Sequence, residues 1–183
     1  MAIMDRRAVL QAAAALFASL SLPAAAAELA GSATARLLVV LGNIVIPETN
    51  TPGAGSALNA AFVSKALSAG ILRAQPVMLT RLAEALDQRA GGSFLAASPS
   101  RQAAIVATLD SQAYAPAAAA PAADWRTIKA LLLIGYYTSE DGGSKELRYE
   151  PVPGRYEANI AIVKGQAAIS NDWTSLTVWE AFI

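Results

Sequence analysis

The chain reads as a mainly α protein: one small helical domain of about five helices with an irregular or short-β C-terminal segment, preceded by a cleavable signal. Three observations carry that expectation. Apolar residues recur at helical spacing in five separate stretches between residues 33 and 137. Serine, proline or glycine stands at most of their borders. From about residue 140 the helical period fades, and Gly142-Gly143, Pro151, Pro153 and Gly154 punctuate a polar segment.

The first 27 residues form a separate unit. Asp5-Arg6-Arg7-Ala8-Val9-Leu10 precedes an apolar run from about Ala12 to Leu22 that is half the length needed to span a bilayer as a helix. Paired arginines, a hydrophobic pair at Val9 and Leu10 and a mild Ala-rich run have the form of a twin-arginine export signal. Pro23 breaks the run. Ala25 and Ala27 supply the small-x-small pattern of a peptidase site, so cleavage is expected after Ala27 and the location is expected to be the periplasm. Retention of the segment as an anchor and a general secretory leader are the alternatives.

In the remaining chain, helix one is expected over Ala33 to Ile46, with Leu37, Leu38 and Leu41 inward and Pro47 as its stop. A loop over Pro47 to Gly55 leads to Ser56, which caps a second helix from Ala57 to about Ala69 with Leu58, Phe62 and either Val63 or Ala66 inward and Gly70 at its end. Val77 to Gln88 carries Leu79, Leu82 and Leu86 on one face, and Ser98-Pro99-Ser100 opens a fourth helix with Ile105 and Leu109 inward. An Ala/Pro connector over Ala115 to Ala123 precedes a fifth helix, capped by Asp124 and running from Trp125 to Tyr137. Its nearly continuous Leu131-Leu132-Leu133-Ile134 marks it as the central one. Ile160 to Val163 reads as a short strand with Lys164-Gly165 as its turn.

Composition removes whole classes of chemistry. The chain has no Cys and no His. Disulfides, iron–sulfur clusters, covalent haem attachment and a Ser–His–Asp triad are therefore excluded in this chain. Its 14 basic and 14 acidic residues become 12 and 13, a net charge of −1, once Arg6, Arg7 and Asp5 leave with the signal. That balance gives no nucleic-acid footprint. Gly53-Ala54-Gly55 lacks the third glycine of a dinucleotide fingerprint and follows a helix rather than a strand. It is read as a loop needing unusual backbone angles, with an anion site as the lesser alternative.

Gly135-Tyr136-Tyr137-Thr138-Ser139-Glu140 is the most distinctive segment. A glycine inside a helix costs about 1 kcal/mol against alanine, so Gly135 implies a close approach by another backbone or a ligand. A catalytic reading would make Tyr137 an acid and Glu140 a base. The structural reading has the hydroxyls satisfying loop backbone and the tyrosines packing on the Pro153-Gly154 turn. Glu146 and Glu150 are read as solvated, and Trp173 and Trp179 as docking or late-core residues in an apolar tail.

Three blocks in order, Val45 to Ala54, Trp125 with Lys129 and Gly135 to Glu140, and Tyr149 to Tyr156, resemble the gluconate 2-dehydrogenase subunit 3 family over roughly Ala33 to Tyr156. The resemblance implies a non-catalytic small subunit with no catalytic, cofactor or metal residues of its own. Its partners would be a flavin-dependent dehydrogenase large subunit carrying FAD, often a third, cytochrome subunit with haem c, and the twin-arginine translocase that exports the complex. Candidate interface or scaffold residues are Pro47, Pro52, Gly53, Gly135, Tyr136, Tyr137, Thr138, Ser139, Glu140, Pro153, Gly154, Trp173 and Trp179. The rival reading is an independent periplasmic enzyme or binding protein, with a pocket near Tyr136, Tyr137 and Glu140 for a small polyol or sugar acid.

Overall fold

The computed structural model describes residues 32–149, 159, 161 and 164–170. Among these the fold is mainly helical, as expected: α1 (Ala33–Val45), α2 (Ala57–Ser68), α3 (Pro76–Ala90), α4 (Pro99–Ala113) and α5 (Ala122–Tyr137). A π-helical turn over Asp141–Glu146 and a two-stranded sheet of β1 (Leu147–Tyr149) and β2 (Ala168–Ser170) follow. The export signal residues Arg6, Arg7, Val9, Leu10, Ala25 and Ala27 lie outside the described residues, as do Pro153, Gly154, Trp173 and Trp179.

The expected punctuation sets the helix ends. Ser32 and Ser56 accept from Ala35 N and Asn59 N at 3.0 and 3.1 Å, each satisfying a free amide of a first turn. The backbone of Ile46 is extended, as the residue before a proline tends to be, and α1 stops there. Gly70 and Gly91 take left-handed angles, φ 72° and 74°, beyond α2 and at the end of α3. Pro76 and Pro99 open their helices, where a missing N–H costs nothing.

α5 is the central element and packs against α1, α2, α3, α4 and the π turn. Trp125, Ile128, Leu131 and Leu132 are fully buried on it, against Leu38 and Leu41, Val63, Leu82 and Leu86, and Leu109 from the four surrounding helices.

Five expectations are corrected, two of them in the site. Leu58 is 60% exposed, because α2 turns Asn59, Ala60 and Val63 inward instead. Asp124 is not an N-cap. α5 begins at Ala122, placing Asp124 in the first turn, 4% exposed, where Arg81 donates to both its oxygens at 2.8 Å. A carboxylate also suits the positive end of a helix there. Ala161 lies outside any strand, and Ile160, Ile162 and Val163 lie outside the described residues. The described strand is Ala168–Ser170, pairing parallel to Leu147–Tyr149 in the register Leu147 with Ala168. A parallel pair needs a crossover of a dozen or more residues, which sets the return strand further along the chain. The turn at Lys164-Gly165 is where it was expected, with Gly165 at φ 82°. Glu146 is the fourth correction, and it belongs to the site.

Candidate functional site

The C-terminal end of α5, the Pro47–Ser56 loop and the π turn are tied into one polar knot. Tyr136 is 2% exposed. Its hydroxyl donates toward two acceptors, the Pro52 carbonyl at 2.7 Å and Glu146 Oε2 at 2.9 Å. Thr51 Oγ1 donates to the same Glu146 oxygen at 2.5 Å. Glu146 is thus half-buried and bonded to two hydroxyls, not solvated as its polar surroundings imply. These bonds close the loop over the end of the helix across 84 and 95 positions of sequence.

Asn59 makes the second tie. Buried to 4% exposure, its Nδ2 donates to the Ala54 carbonyl at 2.8 Å and to the Leu132 carbonyl at 3.2 Å, joining the loop to the middle of α5. Its Oδ1 has no hydrogen-bond partner and lies 2.1 Å from where a Cβ on Gly135 would sit. An α-hydrogen of Gly135 therefore faces this oxygen, a weak C–H···O contact. The close approach expected at Gly135 is real, and the approaching groups are the side chains of Asn59 and Phe62.

The remaining glycines of the knot work by the same rule. A Cβ at Gly42 would meet Ala54 O at 2.6 Å, one at Gly53 would meet Ile46 O at 2.7 Å, and one at Gly142 would meet Tyr136 O at 2.3 Å. Neither Gly53 nor Gly55 has a positive φ, so the expected need for unusual angles there gives way to a need for space. That space is already filled: the side chain of Asn43 occupies the Cβ direction of Gly55.

Of the candidate residues, Pro52, Gly53, Gly135 and Tyr136 are brought together. Thr138 and Ser139 finish α5, donating to the carbonyls of Ile134 at 2.7 Å and Tyr136 at 2.6 Å, which is the backbone-satisfying role expected of them. Pro47 and Glu140 are exposed at the margin, and Tyr137 is 38% exposed with its ring edge-on to Tyr136. The carboxylate that a tyrosine meets is Glu146, and the tyrosine is Tyr136. Asn59 and Glu146 were not singled out as site residues from sequence, and Thr51 entered only as part of the Pro47 to Ala54 stretch. Only Asn59 left a signal, as a polar residue among the apolar positions of α2.

The chemistry of the knot is that of a brace. Burial, then the hydrogen bond to Glu146, raises Tyr136 above its ordinary 10.0. Burial, then the charge of Glu146, raises Tyr137 as well. Both stay protonated at neutral pH. A tyrosine held above its unfolded value contributes stability in full below pH 10.0 and loses it as pH climbs through the folded value, because the unfolded chain releases its proton first. Tyr136→Phe should therefore lower stability by about 1 kcal/mol at neutral pH and flatten its decline above pH 10.0, read by melting across pH.

A third tie holds α4. Asp110 Oδ1 accepts from Trp125 Nε1 and from Lys129 Nζ, both at 2.7 Å, and Lys129 lies 5.2 Å from the centre of the Tyr114 ring. Among the described residues no group of three or more acidic side chains is placed to hold a metal ion, and no helix is long and apolar enough to cross a membrane.

No curated protein and no solved structure matches the chain. The family model for gluconate 2-dehydrogenase subunit 3 matches residues 32–154. That span holds α1 to α5, the π turn and all three polar ties. The chain belongs to the gluconate 2-dehydrogenase subunit 3 family.

Proposed function

We propose that this chain is a non-catalytic accessory subunit that escorts a flavin-dependent sugar, alcohol or sugar-acid dehydrogenase through twin-arginine export and stabilises it in the periplasm. The match to a dehydrogenase small-subunit family over residues 32–154 carries the reading. The partner brings the FAD, and a cytochrome subunit with haem c completes the electron path. Arg6 and Arg7 then serve a cargo besides their own polypeptide.

The knot supports this role by its rigidity. It presents a preorganised end of the bundle, with Leu58 60% and Tyr137 38% exposed on the two helices that Asn59 joins. Preformed surfaces lose less entropy on binding, and aromatic anchors dominate interface energetics. The hydroxyl and carboxylate groups near Tyr136 are already bonded to one another, which weighs against the rival reading of a polyol pocket there.

A tagged chain should bring down a flavoprotein, and replacing Arg6 and Arg7 by Lys should leave that flavoprotein in the cytoplasm. Cell fractionation with a flavin fluorescence readout checks both. A flavoprotein that still reaches the periplasm in the Lys–Lys strain would refute the escort role.

A further inference from the structure

Away from the knot, a groove of about 690 Å³ opens between the start of α1, the end of α2 and the first half of α3. Its lining is mainly apolar, with Leu37, Leu67, Leu79 and Phe94 among its residues. Ser64 lies in the same lining, and its Oγ is buried with no hydrogen-bond partner. A buried hydroxyl without a partner costs about 1–3 kcal/mol. That hydroxyl is closed off from solvent, so what the groove offers an occupant is its apolar lining, which suits a segment carrying apolar side chains.

The groove also has an address. Ser32, Ala33 and Thr34 line it, so the chain enters the described fold at its rim. The residues just upstream, Glu28 to Gly31, offer a single large apolar side chain, Leu29. The run Ala12 to Leu22 offers Leu16, Phe17, Leu20 and Leu22. From Leu22 to Ser32 the chain can reach about 33 Å, enough to turn back over the start of α1.

We infer that in the precursor the apolar run of the leader docks in this groove. The inference rests on reading residues 1–27 as an export leader. Docking shields the run from solvent, leaves Arg6 and Arg7 beyond the groove, and exists only once α1, α2 and α3 have assembled. The leader thereby reports on the folded state of the domain it precedes.

Because the chain has no Cys, one introduced thiol is a clean probe. Ala83→Cys places it in the groove lining, and Ala107→Cys places a control on the exposed side of α4. Each is made in the full precursor and in a precursor carrying Leu16→Asp, Phe17→Asp and Leu20→Asp. Maleimide labelling at the Ala83 position should be roughly tenfold slower with the native leader, meaning a groove open about a tenth of the time. At the Ala107 position the two precursors should label alike, which also confirms that the altered leader leaves the domain folded. Equal and fast labelling at the Ala83 position overturns the inference by showing an open groove. Equal and slow labelling overturns it by showing another occupant, a second copy or the C-terminal segment. The assay contains neither flavoprotein nor translocase, so its failure is separate from a failure of the escort role, which the Lys–Lys strain reads.

Discussion

Gly135→Ala should lower the melting temperature by about 4–8 °C, although alanine is the better helix former. Helix propensity favours the change by about 1 kcal/mol. Against that, the new Cβ lands 2.1 Å from Asn59 Oδ1 and 2.6 Å from Phe62 Cδ1, both too close to survive without movement. Moving Asn59 breaks its bonds to Ala54 O and Leu132 O; the Leu132 carbonyl keeps its helical partner, and the Ala54 carbonyl is left buried without this donor. Crowding of this kind costs about 1–3 kcal/mol and the stranded Ala54 carbonyl a similar amount, so the net loss is about 2 kcal/mol. At roughly 2–4 °C per kcal/mol for a chain of this size, the shift is readily measured by thermal unfolding. The same substitution in an Asn59→Ala background should cost about half as much, since the obstructing oxygen is gone. If the two effects simply add, Asn59 is not what requires the glycine.

Trp125→Ala should be costlier still, by about 4 kcal/mol, with a fall in melting temperature of about 8–16 °C. Trp125 is 1% exposed and is the largest fully buried side chain among the described residues, so truncation opens a cavity between α4 and α5. It also removes the indole N–H from Asp110. Trp125→Phe should recover much of the volume but not the hydrogen bond, and fall between the two. Lys129 keeps Asp110 paired in both variants, so neither leaves a bare carboxylate. Denaturant unfolding monitored by circular dichroism gives the three values on one scale.

The helices were legible in the sequence because each boundary has a local cause. Ser32 and Ser56 reach amides three residues ahead, Pro47 bars its neighbour from helical angles, and Gly70 and Gly91 accept left-handed ones. The inward faces of α1, α3, α4 and α5 follow from periodicity alone. On α2 the same reasoning chose Leu58 and missed Asn59, because hydrophobicity ranks leucine first and cannot see that an amide has two carbonyls waiting for it. Asp124 was misjudged for a related reason. Its partner Arg81 stands 43 positions away, and no local pattern announces such a pairing. The knot was half visible: Gly135 and Tyr136 stood out, while Thr51 and Glu146 acquire meaning only when chain closure brings them together.

α2 is twelve residues long, about 18 Å from end to end, and the two features that matter sit at its opposite ends. Asn59 in its first turn belongs to the knot, and Ser64 and Leu67 toward its last belong to the groove. On the function and the leader docking proposed above, α2 carries two addresses, one for what is carried and one for the tag that sends it. Sites separated in this way and sharing no partners make nearly independent contributions to free energy. A cell could then alter the cargo end without disturbing dispatch, and one scaffold could serve successive enzymes through changes at a single end.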